Sequence, residues 1–145
     1  MALSEQTPSG AYPARVGKPA DVVELTVPAL TTYLGVVRTA TAGLAARLGF
    51  SLDEIEDLRI AVDEACVMLL SLPAPAPPAP AELTCQFMIV DDSLAVTVSS
   101  AVAAGAVLPA EQSFAWQVLT AHAAEVGGSV RTGRAEVRLV KRRRT

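Results

Sequence analysis

No unbroken run of about 18 apolar residues occurs in these 145 residues, so no segment is expected to span a membrane. The opening stretch, MALSEQTPSG, has neither a basic start nor an apolar centre, and no secretory signal is expected. Cysteine is scarce. Cys66 and Cys85 are too few for a disulfide framework and lack metal-ligand spacing, so both are expected as small core residues in a reducing cytoplasm. The one histidine, His122, has no Ser, Cys or Asp at a motif spacing and is expected at the surface or a rim. Positive charge is not in excess either: the formal charge is −3, and setting aside the four cations Lys141, Arg142, Arg143 and Arg144 leaves −7. An acidic body argues against direct nucleic-acid binding. What is present suffices for a fold, since 51% hydrophobic and 19% charged residues mark a globular chain of one domain.

The most informative stretch is SLDEIEDLRIAVDEACVMLL, residues 51–70. Ser51 and Glu54 form a capping box, in which each side chain takes up a backbone donor left over at a helix start. Ile55, Leu58, Val62, Ala65, Cys66 and Leu69 then recur at spacings of three and four, the stripe of a helix facing a core. A second line carries Asp57, Ala61, Glu64 and Met68. Around Glu64 the helix is apolar nearly all round, and a carboxylate there loses hydration unless a donor or cation accompanies it. Two readings stay open: a rim carboxylate paired with an arginine, or a carboxylate aimed into a pocket.

Residues 1–20, with three prolines and no hydrophobic period, are expected to be a disordered leader. Asp21 to Val27 alternates as a strand ended by Pro28. Thr31 or Thr32 is the expected cap of a helix with Tyr33, Val37, Ala40, Leu44 and Leu48 on its inner stripe, closed by Gly49 and Phe50. Residues 71–82 hold five prolines between Pro73 and Pro80, which forbid helix and ladder alike and mark a spacer within the domain. Leu83 to Val90 and Leu94 to Ser99 read as a hairpin across Asp91, Asp92 and Ser93. Residues 101–112 read as a loop lying over something. A third helix is expected from Ser113 to about Val126, with Trp116, Leu119, Ala123 and Val126 inward and Gly127 and Gly128 as its stop. Ser129 to Arg131 and Ala135 to Val140 are the expected closing hairpin, and residues 141–145 a basic tail. The order predicts a two-layer α/β sandwich, a mostly antiparallel sheet covered on one face by three helices, over residues 21–140.

The DLRIAVDEA run on the second helix, the SFAWQVLTAHAAEV helix before a last hairpin, and the order of elements together resemble the RsbW-like anti-sigma factors, more narrowly their actinobacterial UsfX-type branch, within the GHKL (Bergerat-like) ATP-binding folds. The resemblance implies a homodimeric cytoplasmic protein that sequesters a stress-type (sigma-F/sigma-B-like) sigma factor and is released by an anti-anti-sigma antagonist. It places Glu64 at the family's catalytic glutamate and Arg38 at an arginine touching both partners. The nucleotide motifs depart from the family. Met68 stands at the metal-binding asparagine. Ser100 stands at the adenine-reading aspartate, Val102 and Ala104 at the first pair of glycines, and Ser113 and Ala115 at the second. No cofactor is therefore expected. The alternatives are an active serine-protein kinase using ATP and Mg, and a regulatory domain sensing a small ligand.

Overall fold

A computed structural model of the chain describes residues 21–78 and 81–144. The expected leader, residues 1–20, lies outside them. Strand β1 (Asp21–Pro28) leads through a 3-10 turn (Thr31–Tyr33) into helices α1 (Leu34–Arg47) and α2 (Leu52–Leu70). A hairpin of β2 (Glu82–Val90) and β3 (Ser93–Ala101), helix α3 (Phe114–His122), and a hairpin of β4 (Glu125–Arg131) and β5 (Arg134–Arg142) complete the chain. The strands form one sheet in the order β1-β2-β3-β5-β4, every neighbouring pair antiparallel. This is the expected sandwich.

The core follows from strand alternation. In β5, RAEVRLVKR, Ala135, Val137 and Leu139 are buried while Arg134 and Glu136 are exposed. Across the sheet Phe87, Val96 and Leu139 form one row and Cys85, Val98 and Val137 the next. Helix α2 lies over this floor with Leu58, Val62, Ala65, Cys66 and Leu69 buried, the stripe its sequence predicts. Its capping box is present: the Glu54 amide donates to Ser51 Oγ at 3.2 Å and the Ser51 amide to Glu54 Oε1 at 2.8 Å. Cys66 and Cys85 are both fully buried core residues, and the hydrogen bond between their thiols, reinforced by burial, pushes the Cys66 thiol up.

Helix α1 ends as expected. Gly49 takes the left-handed φ of +80°, its amide bonds the Ala46 carbonyl, and the Phe50 amide reaches back to Ala45. Its start differs. Neither Thr31 nor Thr32 caps it; the pair opens the 3-10 turn, α1 begins at Leu34 without a side-chain cap, and Leu34, Val37, Thr41 and Ala45 form the buried line. Ala40, Leu44 and Leu48 pack against the core but are only half-buried.

Helix α3 stops at His122, and Ala123 is already extended. Val126, Gly127 and Gly128, expected to finish that helix, lie inside β4, which pairs with β5 along all of its length. Gly128 fits because a Cβ there would stand 2.9 Å from both Leu108 Cδ1 and Trp116 Cη2 and 3.0 Å from the Glu136 carbonyl oxygen. A glycine read locally as a helix stop serves instead as a point of close approach. The loop over residues 102–113 is what approaches: Ala106 and Leu108 pack on the core, and Trp116 Nε1 donates to the Pro109 carbonyl at 2.8 Å.

The expected basic tail is also different. Lys141 and Arg142 belong to β5. The Arg143 amide bonds the Asp92 carbonyl at 2.8 Å, its Nη1 donates to Leu48 O at 3.1 Å, and the Arg144 amide donates to Glu54 Oε2 at 2.6 Å. Strand pairing carries the chain end back to the start of α2, where acceptors await the cations.

Candidate functional site

Helix α2 carries carboxylates along its length, and the deeply buried one is Glu54, 2% exposed, rather than Glu64. Its oxygens accept from the amides of Ser51 and Arg144, and Arg144 Nε lies 3.4 Å away. The Ser51 amide above all, against the opposing effect of burial, and then the Arg144 amide hold the Glu54 carboxyl below the usual carboxylate range. One turn on, Asp57 accepts from His122 Nδ1 at 3.0 Å and Lys141 Nζ at 3.1 Å. Burial alone would raise the Asp57 carboxyl; the bonds from His122 and Lys141 together override it and hold the group low. His122 is therefore a partnered link between α3, α2 and β5, not a plain rim residue. No spacing signal joins Asp57 to Lys141, so neither the link nor the clasp on Glu54 was visible before folding.

Glu64 is partly exposed and makes no hydrogen bond or ion pair with the described residues. The arginines that could have paired with it are engaged by its neighbours: Arg38 Nε donates to Asp63 Oδ1 at 2.8 Å, and Arg59 to Glu56 at 2.7 Å. Arg38 remains 42% exposed at its side chain. Near it in the chain, Leu30, Tyr33 and Val36 are exposed apolar residues at 58, 38 and 49%. Their spacing of three puts Tyr33, the residue just before α1, and Val36 on one exposed line, so Tyr33 is not part of the inner stripe expected for it.

The remaining candidates are dispersed. Met68, Val102 and Ala115 join the main core cluster, the first two at 3 and 4% exposure. Ser100 is buried on the inner sheet face in a row with Leu83 and Ala135. Ala104 is exposed beside Gly105, which has a φ of +85°. Ser113 is the N-cap residue of α3, yet its Oγ is buried without a hydrogen-bond partner among the described residues.

Over 80 residues the chain is 36% identical to the serine-protein kinase RsbW of Bacillus licheniformis, a stretch covering 55% of this chain and 50% of that protein. Over 47 residues it is 53% identical to the serine-protein kinase RsbW of Bacillus subtilis, 32% of this chain and 29% of that one. The crystal structure of the RsbU and RsbW domains of a Mycobacterium tuberculosis protein aligns with a TM-score of 0.67 over 86% of this chain and 33% of that chain, at 14% identity, which shows a shared fold. The chain is thus similar in sequence to RsbW over part of its length. It spans about half the length of the Bacillus licheniformis relative and about a third of the Bacillus subtilis one. No family model matches it.

The resemblance read from the sequence implies Mg-ATP, and the residues present do not fit it. A glycine box holds phosphate because bare backbone presents free N–H groups. Here the Val102 amide donates to the Gly133 carbonyl at 2.9 Å, the Ala103 amide to Pro73 at 2.8 Å and the Ala106 amide to Ala103 at 3.1 Å. The donors are already used within the fold, and the Val102 side chain is packed into the core. Met68 offers a buried thioether, a soft donor unsuited to Mg²⁺. Among the described residues no cluster of three His, Cys, Asp or Glu side chains could hold a metal ion, and no helix is long and apolar enough to cross a membrane.

Proposed function

We propose that this chain is a cytoplasmic, homodimeric anti-sigma factor that sequesters an alternative sigma factor through the α1 face and is released by an anti-anti-sigma protein rather than by ATP turnover. One observation carries the reading: Arg38 on α1 is half-exposed and held in place by Asp63, while the amides at the nucleotide position are bonded within the fold. The acidic body suits the basic helices with which sigma factors touch DNA. Arg38 is preset by Asp63, so its guanidinium meets a partner carboxylate with less ordering cost. Titration of a stress-type sigma factor tests this. Arg38→Glu should weaken binding by about 1 to 3 kcal/mol, the range for losing a charge-assisted bond in an interface. Unchanged affinity removes α1 from the docking face.

The second reading, a serine-protein kinase, is favoured by Glu64, whose carboxylate is partly exposed and without a partner among the described residues. Phosphate transfer to an antagonist, abolished by Glu64→Ala, is the result that would establish it. The third, a domain sensing a small ligand in the vestigial pocket, predicts no capture of sigma factor at all.

A further inference from the structure

The sheet turns one face to the helices and leaves the other, the outer face, without a helix or strand over it among the described residues. Side chains that alternate with the core rows point outwards there, yet in the middle of that face they are shielded. Met88, Ala95 and Val140 stand side by side across β2, β3 and β5 at 5, 8 and 7% exposure, and the part-buried Val90 packs against them. Gln86, Ser93, Thr97 and Arg138 around them are also only part-exposed. The margin differs. Val22, which continues the same row on β1, is 52% exposed, and Glu125 at its far end is exposed too.

A bare sheet face does not bury a row in this way, because neighbouring side chains stand side by side and shade one another's flanks rather than their tops. Met88 is the longest side chain of the buried row, so nothing in that row overtops it. Arg142, the long chain near Val140, is 54% exposed and drawn to Glu125 at the margin. The cover is therefore a stretch of backbone with its side chains, and it belongs to the chain itself, since one copy alone buries the row. Of the chain outside the described residues, Thr145 follows Arg144, which is tied to Glu54 at the start of α2. Residues 79 and 80 precede Ala81, whose carbonyl accepts from the Ala29 amide beyond the far end of β1. Residues 1–20 remain, and they enter β1 at Asp21, next to Val22 and the shielded row.

We propose that residues 11–20, AYPARVGKPA, double back from the start of β1 and cross the outer face as an intramolecular strap seated on Met88, Ala95 and Val140. In an extended segment Tyr12, Ala14 and Val16 share one face, with Pro13 and Arg15 on the other. From Val16 to Tyr12 such a segment reaches about 13 Å, and from Met88 to Val140 is two strand spacings, about 10 Å. Gly17 and Pro19, between this run and β1, are residue types that let a chain reverse. The strap withholds the outer face from other proteins and leaves partners the helical layer, where Arg38 lies.

Limited oxidation of the full chain by dilute hydrogen peroxide, read at each methionine by mass spectrometry, tests the proposal. Met88 lies on the outer face and Met68 in the main core, so Met68 reports whether the fold is intact. In wild type both should resist, at rates independent of protein concentration. The double variant Tyr12→Asp with Val16→Asp should oxidise at Met88 about tenfold faster or more while Met68 stays slow. Leu3→Asp, ahead of the strap, should change neither. A double variant in which Met88 is as slow as in wild type overturns the strap. So does one in which Met68 accelerates equally, which would show the leader holding the core rather than one face. Protection of Met88 that fades on dilution of wild type also overturns it, because the cover would then be a second copy.

Discussion

Replacing Glu54 by alanine should be among the costlier single changes in this chain. The side chain closes the capping box of α2 and receives the chain end through the Arg144 amide. Loss of the reciprocal cap costs about 1 kcal/mol, within a range of roughly 0.5 to 2. Loss of a charge-assisted bond from a backbone amide costs about 1.5 to 3. The Arg144 guanidinium, at 69% exposure, adds at most a few tenths after solvent screening. The total is about 2 to 4 kcal/mol, or roughly 5 to 15 °C in Tm for a domain of this size. Glu54→Gln keeps an acceptor without the charge and should cost about half as much. Ending the chain at Arg143 removes the same bond from the other side. Urea unfolding of the two changes alone and together should therefore be less than additive by about 1 kcal/mol, with m unchanged. Additive costs, or a Glu54→Ala variant within about 0.5 kcal/mol of wild type, would refute the clasp.

Other expectations follow from the same contacts. Glu54 and Asp57 are both held below the usual carboxylate range, so the stability they contribute is full above about pH 4 and is lost as pH falls through their lowered values; Glu54→Gln should flatten that acid limb in melts run from pH 6 to about pH 2. Gly128→Ala should destabilise by about 1 to 3 kcal/mol, because the Glu136 carbonyl beside it is ladder backbone that cannot yield, whereas Gly127→Ala, in open space, should be near neutral; calorimetric melts distinguish the two. Asp57→Asn should loosen α3 from α2 and β5, read as faster amide exchange around His122 with the β2–β3 hairpin unaffected.

The parts of this fold that local rules govern were legible in the sequence. The capping box at Ser51, the left-handed Gly49 and the alternation in β2, β3 and β5 each depend on residues within a few positions of one another. The start of α1 was read one turn out because Thr31 and Thr32 are good caps by type, yet the chain spends them in a 3-10 turn. The end of α3 was misplaced because Gly127–Gly128 is a stop signal locally, and only the approach of Leu108 and Trp116 to Gly128 shows why a strand needs it. The candidate site was less legible still. Glu64 drew attention by its apolar neighbours on the helix, but the carboxylate that folding buries is Glu54, matched by Arg144 some ninety positions away. Long-range pairing of that kind leaves no spacing in a single sequence. Tyr33 and Val36 share their type with core residues, and only the packing of α1 against α2 shows which of them stay uncovered.

Calorimetric titration with Mg-ATP tests most directly whether this chain works by holding partners rather than by turning over nucleotide. With the Val102, Ala103 and Ala106 amides bonded inside the fold and Met68 buried, each lost phosphate or metal contact is worth about 1 to 3 kcal/mol, and the dissociation constant should lie beyond about 1 mM. A dissociation constant in the low micromolar range would contradict this, showing that the loop over residues 102–113 opens and that those amides are released to hold phosphate.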